Sequence, residues 1–81
     1  MGAAGAGYGA GWKWADRRLK TDIHPIGTTK FGCTIYQFRY RNSGVVQIGF
    51  MADEIKLDFP EFVMRIGDYD AVNYTGVLSH G

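Results

Sequence analysis

The stretch IYQFRYRNSGVVQIGF, residues 35–50, alternates apolar and polar side chains twice over. Tyr36, Phe38 and Tyr40 are interleaved with Gln37, Arg39 and Arg41, and Val46, Ile48 and Phe50 with Gln47 and Gly49. That period of two sends successive side chains to opposite faces of a strand. Between the two runs, Asn42-Ser43-Gly44 has the length and the glycine of a three-residue hairpin loop, with Gly44 expected in the left-handed conformation. A β-hairpin is predicted.

Downstream, Met51, Ala52, Ile55 and Phe59 share one helical face, and Asp53 and Glu54 suit the positive end of a helix dipole. Pro60 stops this short helix or begins a turn. Val63 to Ile66 and Asp70 to Tyr74 then flank Gly67-Asp68 as a second hairpin. Upstream, Gly27 to Gly32 are small or polar and read as a loop. Residues 16–24 form a short polar segment that ends before Pro25, with room for one helical turn between Leu19 and Ile23. Nine of the first eleven residues are Gly or Ala, which cost backbone entropy to order and offer little to bury, so residues 1–11 are expected to be a tail or linker. The expected fold is a small α+β domain over residues 12–81, with the order loop, strand, strand, short helix, strand, strand.

At 81 residues the chain is at most one domain, and a domain of this size buries only about 60% of the surface its unfolded chain exposes. Aromatic residues make up 15% of it. Small folds without disulfides or metals often cover such surface with a partner subunit, so an oligomer is expected. The net charge of +1 gives no global attraction to nucleic acid or an anionic membrane. Cys33 is the single cysteine, which excludes an internal disulfide and fits a reducing compartment. No apolar run approaches the roughly 18 residues of a membrane span, and the N-terminus lacks the apolar core of a signal peptide. No membrane partner is expected.

Several constellations invite chemistry. Lys13, Arg17, Arg18 and Lys20 lie beside Trp12 and Trp14, and Arg39 and Arg41 are interleaved with hairpin aromatics, a mixture that can hold single-stranded nucleic acid. Eight acidic residues dilute it, and a solvated face or intersubunit contact is the plainer reading. Gly5, Gly7 and Ala10 match a dinucleotide fingerprint without the strand and helix it requires. His24 and His80 are far apart and lack companions at metal-ligand spacing, so neither a metal nor another cofactor is expected. Ser43 and Ser79 lie in a loop and in the tail, poor places for a hydrolytic triad.

Taken in order, ADRRLKTDIHPI, IYQFRY, VQIGFMADEI, FPEFV and GDYDAVNYTGVL resemble the chaperone of endosialidase family, from Ala15 to Leu78. The family comprises C-terminal intramolecular chaperones of phage tailspikes and tail fibres. The resemblance implies a homotrimer, partnered by an upstream fibre segment, that registers three chains and assists their folding. It implies a virion-associated precursor made in the host-cell cytoplasm. It also implies release by self-cleavage, through a serine opening the motif Ser-Asp-x-x-Leu-Lys and the lysine five positions on.

Carried onto this chain, the lysine is Lys20, the aspartate is Asp16, and the nucleophile's position is Ala15. The scissile bond would be Trp14–Ala15. A methyl group cannot attack the Trp14 carbonyl, so the resemblance implies a cleavage-dead form of a Ser-Lys peptidase. Desolvation, Arg17 and Arg18 are expected to lower the Lys20 pKa, and Glu54 to pair with a cation. Two rival functions stand beside this one: a permanent trimerisation cap on a fibre, and a small nucleic-acid-binding module.

Overall fold

In the computed structural model, residues 11–79 are described. The stretch 35–50 is a hairpin as its alternation requires. Its strands are flanked by others in two antiparallel three-stranded sheets: β1 (Trp12–Trp14), β2 (Lys20–Thr28), β3 (Thr34–Tyr40), β4 (Val46–Gly49), β5 (Val63–Ile66) and β6 (Tyr69–Asn73). One sheet has the order β2-β3-β4 and the other β1-β6-β5. Helix α1 (Ala52–Asp58) follows β4, and α2 (Tyr74–Ser79) follows β6. The fold is a small α+β domain.

Helix α1 buries Ala52 and Ile55 and carries Asp53 and Glu54 in its first turn. It ends at Phe59, because the residue before a proline is steered out of the helical region, and Pro60 opens a 3-10 turn to Phe62. In the second hairpin Ile66 faces Tyr69 across Gly67-Asp68, and Gly67, at φ 63°, takes the left-handed conformation that a two-residue connection needs. Ala15, Cys33, Phe50, Ala52, Ile55, Val72, Tyr74 and Val77 form the core, with Ile35, Phe59, Phe62 and Val63 packed around it.

Four expectations are corrected. The left-handed residue of the 42–44 connection is Asn42, at φ 67°, and not Gly44; asparagine tolerates that region because its short polar side chain compensates locally. The helical turn expected between Leu19 and Ile23 is displaced to a 3-10 turn at Arg17–Leu19, after which the chain runs as a nine-residue strand through Pro25 and into the expected loop. Pro25 fits there because β2 is an edge strand and its register with β3 slips on both sides of that residue. Third, β1 is a strand that no alternation announced, formed by pairing Lys13 with Val72. Fourth, residues 74–79 are helical. Of the tail expected over residues 1–11, residues 1–10, with the glycine fingerprint, fall outside the described residues, as does His80, while the Gly11 carbonyl accepts from the Tyr74 amide at 2.7 Å.

The two apolar stripes of the first hairpin do not share a face. Residues directly opposed across a ladder point the same way, and Gln37 opposes Ile48 while Arg39 opposes Val46. Tyr36, Phe38 and Tyr40 therefore face inward. Val46 and Ile48 face outward and remain 46% and 60% exposed.

Candidate functional site

The segment from Trp14 to Lys20 joins the two sheets, since β1 belongs to one and β2 to the other. Ala15, immediately after β1, is fully buried. Its amide donates to the Asp70 carbonyl at 3.1 Å and its carbonyl accepts from the Ala52 amide at 2.8 Å. Ala15 is thus clamped between β6 and the start of α1, and the N–H of the Trp14–Ala15 peptide is the group paired with β6. The Trp14 carbonyl accepts a hydrogen bond from the Tyr40 hydroxyl at 2.6 Å.

Asp16 caps the 3-10 turn. Its carboxylate accepts from the Arg18 amide at 3.0 Å, from the Arg18 guanidinium at 2.9 and 2.8 Å, and from the Asp70 amide at 3.1 Å. Those bonds, the Arg18 side chain's first, outweigh burial and hold the Asp16 carboxyl well below the usual carboxylate range. Asp70 is likewise nearly buried; burial pushes its carboxyl up, but bonds from Arg65 at 2.7 Å and Lys56 at 3.0 Å bring it below its ordinary value.

Lys20 opens β2 opposite Tyr40. It is 1% exposed, rare for a lysine, and its amino group donates to the Phe50 carbonyl at 2.7 Å while lying 3.7 Å from the centre of the Phe38 ring. Burial, and after it the charge of Arg17, lowers its pKa from 10.5 to about 7; Asp16 and Asp53 act weakly the other way. The Arg18 guanidinium is paired with Asp16 at 2.8 Å. A lysine so placed is neutral in a large fraction of molecules near neutral pH, the state in which it accepts a proton.

Arg17 reaches Asp53 at 3.3 Å and Glu54 at 3.0 Å. Glu54 also accepts from the Tyr36 hydroxyl. Trp14, Ala15, Asp16, Arg17, Arg18, Lys20 and Glu54 are thereby gathered around the start of α1 and the start of β6. Sequence reasoning did not single out Tyr40, Phe38, Phe50 and Asp70. The alternation marked Tyr40 and Phe38 as facing one way, but only the pairing of Lys20 with Tyr40 says what they face.

The remaining constellations disperse. Arg39 pairs with Asp22 at 2.8 Å and Lys20 is buried, which takes both out of the basic cluster, while Arg41 donates to the Arg18 carbonyl at 2.9 Å. Ser43 accepts from the Val45 amide within its loop, and Ser79 donates to the Thr75 carbonyl within α2. His24 is exposed on β2. Among the described residues no group of His, Cys, Asp and Glu is disposed to hold a metal ion, and no helix is long and apolar enough to cross a membrane.

A protein-family model described as chaperone of endosialidase matches residues 15–64. It begins at the clamped residue, Ala15. No curated protein and no solved structure matches the chain.

Proposed function

The chain belongs to the chaperone of endosialidase family, and we propose that it is the intramolecular chaperone of a phage tail fibre or tailspike, acting as a homotrimer whose release junction is silenced by Ala15. In this reading three copies associate and bring the upstream fibre chains into register. Separate chains otherwise meet the full entropy of closure and association before any contact rewards them, and a formed trimer raises the effective concentration of their ends. The precursor would be made in the host cytoplasm and travel with the virion.

The observation that carries the reading is Lys20: a fully buried amine with a pKa near 7, five positions after Ala15. A buried cation is expensive, and a stem of this length in a core is otherwise better filled by a methionine or leucine. A general base for an adjacent hydroxyl explains the expense. With a methyl group at position 15 there is no nucleophile, and the junction stays closed.

Ala15→Ser supplies the missing hydroxyl. The variant is expected to release a fragment beginning at residue 15, detected by mass spectrometry after incubation, at a rate that rises with pH and is half-maximal near 7, where Lys20 loses its proton. An unchanged full-length mass overturns the junction. A permanent trimerisation cap is the second reading. It is favoured by the complete burial of Ala15 and by the pairing of its amide and carbonyl, which give a stable, uncut junction. Fusing the chain behind a heterologous fibre separates the two: a chaperone raises the yield of soluble trimer, a cap leaves it unchanged.

A further inference from the structure

We infer that Tyr40 is the oxyanion donor of the Trp14–Ala15 junction, its hydroxyl already seated on the carbonyl oxygen where negative charge would develop. The inference rests on the reading of that bond as the release junction. Its geometric basis is the 2.6 Å hydrogen bond from the Tyr40 hydroxyl to the Trp14 carbonyl, within the range of a good O–H to O contact. The donor is fixed in advance. Tyr40 is backbone-paired opposite Lys20, and its ring stands edge-on to Phe38 with centroids 5.2 Å apart. Burial keeps the phenol protonated far above neutral pH, so it remains a donor across the range in which Lys20 titrates.

Base and donor thus sit side by side on one face of β2 and β3, the Lys20 amino group 5.8 Å from the Tyr40 ring centre. Their tasks are complementary. The hydroxyl installed by Ala15→Ser gives its proton to the neutral Lys20 amine as its oxygen bonds to the Trp14 carbonyl carbon. The carbonyl π pair moves to its oxygen, where the Tyr40 hydroxyl meets the charge. The carbon–nitrogen bond then breaks, the nitrogen of residue 15 takes the proton back from Lys20, and an ester remains. Water hydrolyses that ester, leaving the Trp14 carboxylate and restoring the hydroxyl. Trp14 and Tyr40 both line an open groove of about 760 Å³, the side from which this water would approach.

The experiment compares release rates of Ala15→Ser and Ala15→Ser/Tyr40→Phe from about pH 5 to about pH 9, with circular dichroism on both. Loss of one preformed oxyanion donor is expected to lower the limiting rate roughly 100- to 1,000-fold and leave the midpoint of the pH profile in place. A limiting rate within about threefold of the parent overturns the inference alone. So does a drop accompanied by a shifted midpoint, since that reports altered packing around Lys20. Absence of release from Ala15→Ser overturns the junction and this inference together. Site-specific difluorination of the Tyr40 ring in Ala15→Ser keeps the side chain's shape and makes the phenol a stronger donor. It is expected to change the limiting rate several-fold, and an unchanged rate counts against the inference even where Tyr40→Phe fails to fold.

Discussion

Two neighbouring ionisable residues, Asp16 and Lys20, are both buried and both titrate below their ordinary values, for opposite reasons. Asp16 is held charged by four hydrogen bonds, three of them from Arg18. Lys20 is pressed towards neutrality by the core around it. The sign for stability follows from linkage: between pH 7 and 10.5 the unfolded chain holds a proton on Lys20 that the folded chain has lost. Stability should therefore rise with pH through that window, by up to roughly 1.4 kcal/mol per unit. Urea midpoints measured from about pH 7 to about pH 9 should show this slope, and Lys20→Met should flatten it; equal slopes in the two proteins would place the amine in solvent. The WADRRLK run made Lys20 and Asp16 legible as candidates, because five-residue spacing is a local property. It could not show that Arg17 is the cation whose charge bears on Lys20 while Arg18 pairs with Asp16. That difference is set by Asp16 capping the turn and drawing Arg18 onto itself. Tyr40 was illegible for the same kind of reason: its partner is 26 residues away.

Elements with their own local pattern were the legible ones. The hairpin β3–β4, helix α1 and the hairpin β5–β6 each carry alternation, a helical face or a turn glycine within a dozen or so residues. Strand β1 is too short for its alternation to be telling: Trp12–Trp14 is extended because β6 offers it a ladder across most of the chain. Strand β2 hides behind Pro25, which argues against a central strand and is accommodated at an edge through slipped register. Helix α2 has Gly76 in its middle and owes its place to packing, with Tyr74 and Val77 buried. Tyr74 also explains a glycine. A Cβ on Gly49 would run into the Tyr74 ring and hydroxyl, and that hydroxyl, its pKa raised to about 12 by burial, accepts from the Phe50 amide at 3.1 Å. The Phe50 carbonyl is the acceptor for Lys20. Gly49→Ala should thus cost about 1–3 kcal/mol in equilibrium unfolding, far more than an alanine at an open strand position; a change below about 0.5 kcal/mol would mean that Tyr74 has room to withdraw.

At the scale of the whole molecule the two sheets divide the work. The β1-β6-β5 sheet holds Ala15 from one side, and the β2-β3-β4 sheet supplies Lys20 and Tyr40 from the other. The opposite face of the second sheet is left over. Val45, Val46 and Ile48 are 60%, 46% and 60% exposed, close together on and just before β4, at the edge of the sheet. An exposed apolar edge strand invites pairing with another chain, and it is expected to be buried in the proposed trimer. Composition and length raise the expectation that a chain of 81 residues covers such surface with a partner. Which residues need it became visible only with the register, because Gln37 and Arg39, and not the aromatics, turned out to oppose Ile48 and Val46. Light scattering of the chain should report three copies, and the double change Val46→Lys/Ile48→Lys should reduce that to one. Both substitutions lie on the outer face, so circular dichroism and the Lys20-dependent pH slope should persist. A parent that is monomeric at tens of micromolar, or a double variant that stays trimeric, would move the assembly surface elsewhere and with it the account of how this domain brings fibre chains together.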